Sequence, residues 1–139
     1  MTEKISSDNK NFAPIPPRTQ EVSKEILDAA FKVHTALGPG LLESVYEACL
    51  VYELRSSGLM VENQVALPVK YEGITIDSGF RIDLQVENCV IVELKTVDYI
   101  LPLYRAQLLT YMKLTNTRVG LLINFNAVHL KEGIKRLVL

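Results

Sequence analysis

The segment RIDLQVENCVIVELKT, residues 81–96, constrains the fold of this chain more than any other. Apolar and polar residues alternate on both sides of its centre, and a period of two is typical of a strand with one buried face. Two such runs joined by a short polar link predict a β-hairpin. The polar positions include Arg81, Asp83, Glu93 and Lys95. Any fold must therefore accommodate four charged side chains on one strand pair.

The register of the predicted hairpin follows from its apolar residues. These are Ile82, Leu84, Val86, Val90, Val92 and Leu94. Because opposed residues in an antiparallel pair have a constant sum, placing all six on one face requires a loop of odd length. A three-residue loop at residues 87–89 sets Asp83 across from Glu93. The same register sets Arg81 across from Lys95.

Two carboxylates side by side on neighbouring strands predict a cation site. Like charges repel each other there, and they are retained most readily when a cation lies between them. Proteins often hold Mg²⁺ by one or two carboxylates, while waters and substrate phosphates complete its shell, and Mn²⁺ takes similar ligands. Lys95 could then orient a water or stabilise charge on a phosphate. The alternative is a solvated polar face on which Arg81 or Lys95 neutralises the acids.

Helical periodicity precedes and follows the strands. Apolar residues three and four apart predict helices at residues 20–37, 41–57 and 104–114. Period-two patterns predict strands at residues 62–71, 74–86 and 89–96, with a break near 77–79 in the second. A continuous apolar run at 119–125 and a strand at 127–139, interrupted at Gly133, complete the chain. This order predicts an α/β sandwich with a mixed β-sheet.

The size of the chain, 139 residues of which 48% are hydrophobic, fits one domain, which we place at residues 20–139. Residues 1–19 are polar and rich in proline, so a flexible N-terminal tail is expected there. No apolar run reaches the length of a membrane span, and the N-terminus lacks the pattern of a secretory signal. We expect a cytoplasmic protein without a membrane partner. A net charge of −1 means that a polyanion would have to bind at a local basic patch or through a cation.

Three motifs carry a resemblance to a known superfamily. Asp83 and the run ELK at residues 93–95 resemble the motif of the PD-(D/E)XK nuclease superfamily, with Ile82 where its proline would stand. The run GLLESVY at residues 40–46 is similar to the GxxExxY motif of a family of small proteins in that superfamily. The run QLLTY at residues 107–111 is similar to the QxxxY motif of its exonuclease-like branch. Three ordered motifs are more specific than one.

The resemblance, which spans residues 20–136, implies a restriction-endonuclease-like sandwich and metal-dependent hydrolysis of phosphodiester bonds. DNA is the favoured substrate over RNA. By this resemblance Asp83, Glu93 and Glu43 bind Mg²⁺ or Mn²⁺, and Lys95 joins them as a catalytic residue. The substrate-binding residues that we predict are Gln107, Tyr111, Tyr46 and Arg81.

Simpler interpretations of these side chains stay open. Glu43 in the first turn of a helix gains from the helix dipole, and Tyr46 could belong to the core. Gln107 and Tyr111 could form part of an ordinary amphipathic stripe. The whole domain could also be a nuclease-fold binding or assembly module without activity. A domain this small could need a partner subunit to grip a duplex, so a homo-oligomer stays open.

Overall fold

The computed structural model describes residues 2–4 and 13–139. Its helices are α1 (Pro17–Leu37), α2 (Glu43–Ser56) and α3 (Pro102–Thr115), with a 3₁₀ turn at Leu130–Gly133. Its strands are β1 (Thr2–Lys4), β2 (Val61–Tyr71), β3 (Ile74–Val86), β4 (Val90–Lys95), β5 (Val119–Asn124) and β6 (Ile134–Val138). The tail predicted at residues 1–19 includes residues 1 and 5–12, which lie outside the described part of the chain. The first helix begins at Pro17, three residues before its predicted start.

The six strands of the described residues form one mixed sheet in the order β1-β6-β5-β4-β3-β2. The pairs β2–β3 and β3–β4 are antiparallel, which confirms the predicted meander. Strand β5 runs parallel to β4, because α3 connects them as a crossover, and β6 returns antiparallel to β5. The predicted α/β architecture with a mixed sheet is therefore confirmed.

Two apolar cores lie on the two faces of this sheet. The side chains of β4 alternate between them: Val90, Val92 and Leu94 pack with α1 and α2, whereas Ile91 packs with α3. All residues of β5 are buried, as its continuous apolar run predicts. The sheet is thus the middle layer of a sandwich, with α1 and α2 on one side and α3 on the other.

The register predicted for the β3–β4 hairpin is confirmed at its turn, where Val86 pairs with Val90 and a three-residue loop remains. The break predicted near residues 77–79 is absent, because β3 runs continuously from Ile74 to Val86. An irregularity lies there instead, since the β2–β3 pairing shifts between Ala66 and Pro68. Opposite that shift Gly79 adopts a φ of +72°, which glycine tolerates at no steric cost.

The strand predicted from residue 127 onward is wrong in its first half. The chain forms the 3₁₀ turn there, and β6 starts only after Gly133. A Cβ at Gly133 would lie 2.5 Å from the Asn124 carbonyl oxygen. Glycine therefore lets the chain pass close to the end of β5 before β6 begins to pair with it.

The single apolar face predicted along β3 is wrong at Ile82. Leu84 packs in the core beneath α1 and α2, whereas Ile82 packs in the core beneath α3. Strict alternation would have kept the two side chains together. On the neighbouring strand Gln64, which lies between the pairs Asn63–Leu84 and Val65–Ile82, has a φ of +52°. Both strands therefore change face at the same point.

Candidate active site

Strands β3 and β4 part at the predicted carboxylates. Their ladder ends at the pair Leu84–Val92, and the next pair in register is Asp83–Glu93. There the Asp83 N–H donates to Glu93 Oε1 at 3.1 Å, and the Leu94 N–H donates to Asp83 Oδ2 at 2.8 Å. Each carboxylate accepts a hydrogen bond from a backbone N–H group that lies beyond the end of the β3–β4 ladder. The structure thereby brings Asp83 and Glu93 together in the gap between the strands.

The electrostatics of this pair depend on burial. Glu93 is only 7% exposed, and its burial raises its pKa to about 8. Repulsion from Asp83 also raises the pKa, while the positive charge of Lys95 lowers it. Without a bound cation, these effects would favour a proton on Glu93 near neutral pH.

Lys95 lies two residues beyond Glu93 on the same strand and is partly buried. Its Nζ atom lies 4.4 Å from the centre of the Tyr104 ring on α3, which is a cation–π contact. The predicted opposition of Arg81 to Lys95 is not formed, because the ladder has already ended. Arg81 is exposed and donates its Nη1 to the Phe80 carbonyl oxygen at 3.2 Å. No contact ties it to the carboxylates among the described residues.

The first residue of α2, Glu43, reaches the same region from the other side of the gap. Its side chain is accessible to solvent, yet partial burial raises its pKa, and repulsion from Asp83 raises it further. Lys95 lowers the pKa of Glu43, and Glu47 raises it. Glu43 therefore lies within electrostatic reach of the strand residues.

The described side chains do not form a preformed site with three carboxylate ligands. Within residues 13–139, no three His, Cys, Asp or Glu side chains are close enough to hold one metal ion together. Glu43 consequently acts on Asp83 through its charge in this conformation, and it does not share a ligand cluster with Asp83 and Glu93.

Tyr46 lies in the core and does not line the site. It is fully buried and stacks on Phe125, with 4.5 Å between ring centres. Its hydroxyl donates to the Gly38 carbonyl oxygen at 2.5 Å and accepts the Leu41 N–H at 3.1 Å. Direct contact with a substrate does not fit this burial. Tyr46 instead holds the loop before α2, which sets the position of Glu43.

Helix α3 borders the gap with Tyr111. This tyrosine is 5% exposed, and its pKa is raised first by burial and then by the negative charges of Glu93 and Asp83. A hydrogen bond with Gln107 lowers that pKa. Two helices on opposite faces of the sheet, α2 and α3, therefore both present polar side chains to the carboxylate pair.

Two residues of this region, Glu47 and Gln64, are absent from the predicted site. Gln64 Nε2 donates to Glu47 Oε1 at 2.6 Å and lies 3.4 Å from Asp83 Oδ1. Glu47 follows Glu43 by four residues, so helical spacing alone could have found it. The left-handed backbone of Gln64 has no signal in the sequence, because glutamine carries no preference for that conformation.

The chemistry of the carboxylate pair fits Mg²⁺ or Mn²⁺. Both ions prefer hard oxygen ligands. A cation beside Asp83 and Glu93 would relieve their mutual repulsion, which otherwise favours protonation. The two backbone N–H groups already fix the carboxylates in place.

Comparison with known proteins identifies the family. A family model described as the PD-(D/E)XK nuclease superfamily matches residues 20–137. Searches of curated proteins and of solved structures found no match. None of the helices in the described part of the chain combines the length and apolar character needed to cross a membrane. The match covers most of the chain, which belongs to the PD-(D/E)XK nuclease superfamily.

Proposed function

We propose that this protein is a metal-dependent nuclease that hydrolyses phosphodiester bonds in DNA, with RNA as the less favoured substrate. The observation that carries the proposal is the pair Asp83 and Glu93, fixed side by side by reciprocal hydrogen bonds where two strands part. Superfamily membership supports a nucleic-acid substrate. The motif at residues 40–46 further suggests the GxxExxY family within the superfamily.

The proposed chemistry assigns one role to each group. Asp83 and Glu93 hold Mg²⁺ or Mn²⁺, which when bound polarises the scissile phosphate and lowers the pKa of an attacking water. Lys95 stabilises negative charge that develops on the phosphate. The Tyr104 ring keeps the Lys95 ammonium close to the gap.

The surrounding helices complete the proposed site. Glu43 adds negative charge that favours a divalent cation near Asp83. Gln107, which is partly exposed on α3, borders the path of the substrate, and the buried Tyr111 holds it through a hydrogen bond. Partial burial of the site strengthens these electrostatic interactions, because the local dielectric is lower than that of water.

A cleavage assay on linear and circular DNA, single-stranded DNA and RNA tests the proposal. The wild type should cleave DNA with Mg²⁺ or Mn²⁺ and should not cleave it in EDTA. Asp83→Asn should lose both cleavage and Mn²⁺ binding measured by calorimetry. Lys95→Ala should keep Mn²⁺ binding, because it removes a positive charge, while cleavage falls by on the order of a hundredfold.

Asp28→Asn is the matched control. Asp28 lies on α1 and forms an exposed ion pair with Lys24, so its loss should change neither binding nor cleavage. Mn²⁺ binding without cleavage of any nucleic acid would contradict the nuclease and support a binding or assembly module. Absence of both would contradict the metal site itself.

A further inference from the structure

The backbone of Gln64 is unusual at a significant place. Its φ of +52° is uncommon for a residue other than glycine, asparagine or aspartate. Gln64 lies between the ladder pairs Asn63–Leu84 and Val65–Ile82, so it faces Asp83 across the strand pair. Residues held in sparsely populated backbone conformations cluster at functional sites. The irregularity of β2 therefore coincides with a carboxylate of the proposed site.

This backbone conformation directs two neighbouring amides to one carboxylate. Successive side chains of a regular strand point to opposite faces. Asn63 Nδ2 and Gln64 Nε2 nevertheless both contact Glu47, at 3.5 Å and 2.6 Å. The turn of the chain at Gln64 places its amide between Glu47 on α2 and Asp83 on β3.

We propose that Gln64 is a positioning residue for Asp83, an inference that rests on the proposed function. Glu47 anchors the Gln64 amide, and that amide lies against Asp83 Oδ1. The Leu94 N–H holds Oδ2, the other oxygen of the same carboxylate. Both oxygens of Asp83 are thereby oriented before a metal or substrate arrives.

The position of the irregularity supports the same role. Ile82 and Leu84 pack in different cores, so β3 changes face at the residue between them. A regular β2 would pair Gln64 with Asp83 and keep Asp83 within an ordinary strand pair, whereas the β2–β3 ladder omits this pair and resumes at Val65–Ile82. The left-handed residue on β2 permits β3 to turn, and the Asp83 side chain enters the gap.

The Gln64→Gly variant removes the side-chain amide and keeps the left-handed backbone, so it distinguishes the effect of the amide from that of the backbone. Glycine adopts a positive φ without strain, so the fold should be retained. Loss of the amide should weaken Mn²⁺ binding by about tenfold, the effect typical of residues that orient metal ligands. In the cleavage assay kcat should fall while the KM for DNA stays unchanged.

Asn88→Gly is the matched control, because Asn88 also carries an amide and has a φ of +51°. It lies in the loop at the far end of the β3–β4 hairpin, so Mn²⁺ affinity should equal that of the wild type. Gln64→Asn is a second variant in case the glycine protein fails to fold. Asparagine tolerates the left-handed region, and its shorter amide should leave the contact with Asp83 unmade.

A double-mutant cycle with Glu47→Ala, which removes the acceptor of the Gln64 amide, tests whether the amide acts through its anchor. The double variant should bind Mn²⁺ no more weakly than the weaker single variant, because both changes remove one shared bridge. If the two losses in Mn²⁺ affinity multiply in the double variant, the residues act independently and the bridge is ruled out. Wild-type Mn²⁺ binding with equal affinity in Gln64→Gly and Gln64→Asn would overturn the inference and leave the proposed function standing. Failure of the wild type to bind Mn²⁺ would overturn both.

Discussion

The two ends of the β3–β4 hairpin differ in what holds them together. At the turn, Val86 pairs with Val90 in a regular ladder, and both side chains are fully buried. At the other end the ladder stops, and the side chains of Asp83 and Glu93 accept the backbone donors instead. One end is closed and apolar, and the other is open and charged.

The two ends lie a few residues apart, and the closed end contributes to stability whereas the open end carries the proposed function. The closed end buries apolar surface, which is the dominant favourable contribution to folding. The open end places a buried carboxylate beside a second one, and this repulsion destabilises the metal-free fold. A domain can retain such a feature when a ligand compensates for it.

The largest expected effect is a difference in stability between variants of two adjacent residues of β3. Leu84→Ala removes a fully buried side chain from the core and should lower the free energy of unfolding by about 2–5 kcal/mol. Asp83→Asn should leave the metal-free stability unchanged or higher, because it removes a like charge beside Glu93. Urea unfolding in EDTA measures both. A strongly destabilised Asp83→Asn would mean that the open end also supports the fold.

Much of the fold could be predicted from the sequence because periodicity reports burial. The alternation in β3 and β4 gave the hairpin and its register at the turn, and the all-apolar run gave β5. Glycine at the ends of the helical patterns marked where α1 and α2 stop. These signals are local, and local patterns survive tertiary packing where every side chain on one face is buried alike.

The site could be predicted only in part, because its geometry depends on departures from regular structure. Strict alternation failed at Ile82, since β3 changes face beside the left-handed Gln64. The same departure ended the ladder before Arg81 could oppose Lys95. Burial of Tyr46 depends on its stacking against Phe125, which is distant in the sequence, as well as on its place in a motif. Sequence spacing does not encode such non-local contacts.

An intermediate effect should appear in the pH dependence of stability. The pKa of Glu93 is raised in the folded state from 4.5 to about 8. The folded protein therefore binds more protons than the unfolded chain between these values, and the free energy of unfolding should fall as pH rises through this window. Glu43, whose pKa is also raised, acts in the same direction.

Chemical unfolding from pH 5 to pH 8 in EDTA would measure this slope. Glu93→Gln should flatten it, because glutamine keeps an acceptor for the Asp83 N–H and does not titrate in this range. Mg²⁺ should reduce the slope in the wild type, since a bound cation favours the charged carboxylates. A wild-type slope unchanged by Glu93→Gln would show that another group controls the stability in this window.

The smallest effect is expected at the closed end, from Glu87→Gln. Glu87 accepts the Met60 N–H at 2.7 Å and pairs with Arg18 at 3.0 Å, and these contacts hold its pKa below the usual value, the backbone hydrogen bond first. Glutamine keeps a neutral acceptor and loses the ion pair, and exposed ion pairs contribute little to stability. Thermal unfolding at pH 7 should therefore show a small decrease in Tm. Mn²⁺ affinity and cleavage should stay at wild-type values, because the loop lies at the opposite end of the ladder from Asp83 and Glu93. A change in Mn²⁺ affinity would instead show that the two ends of the hairpin are coupled through β3 and β4.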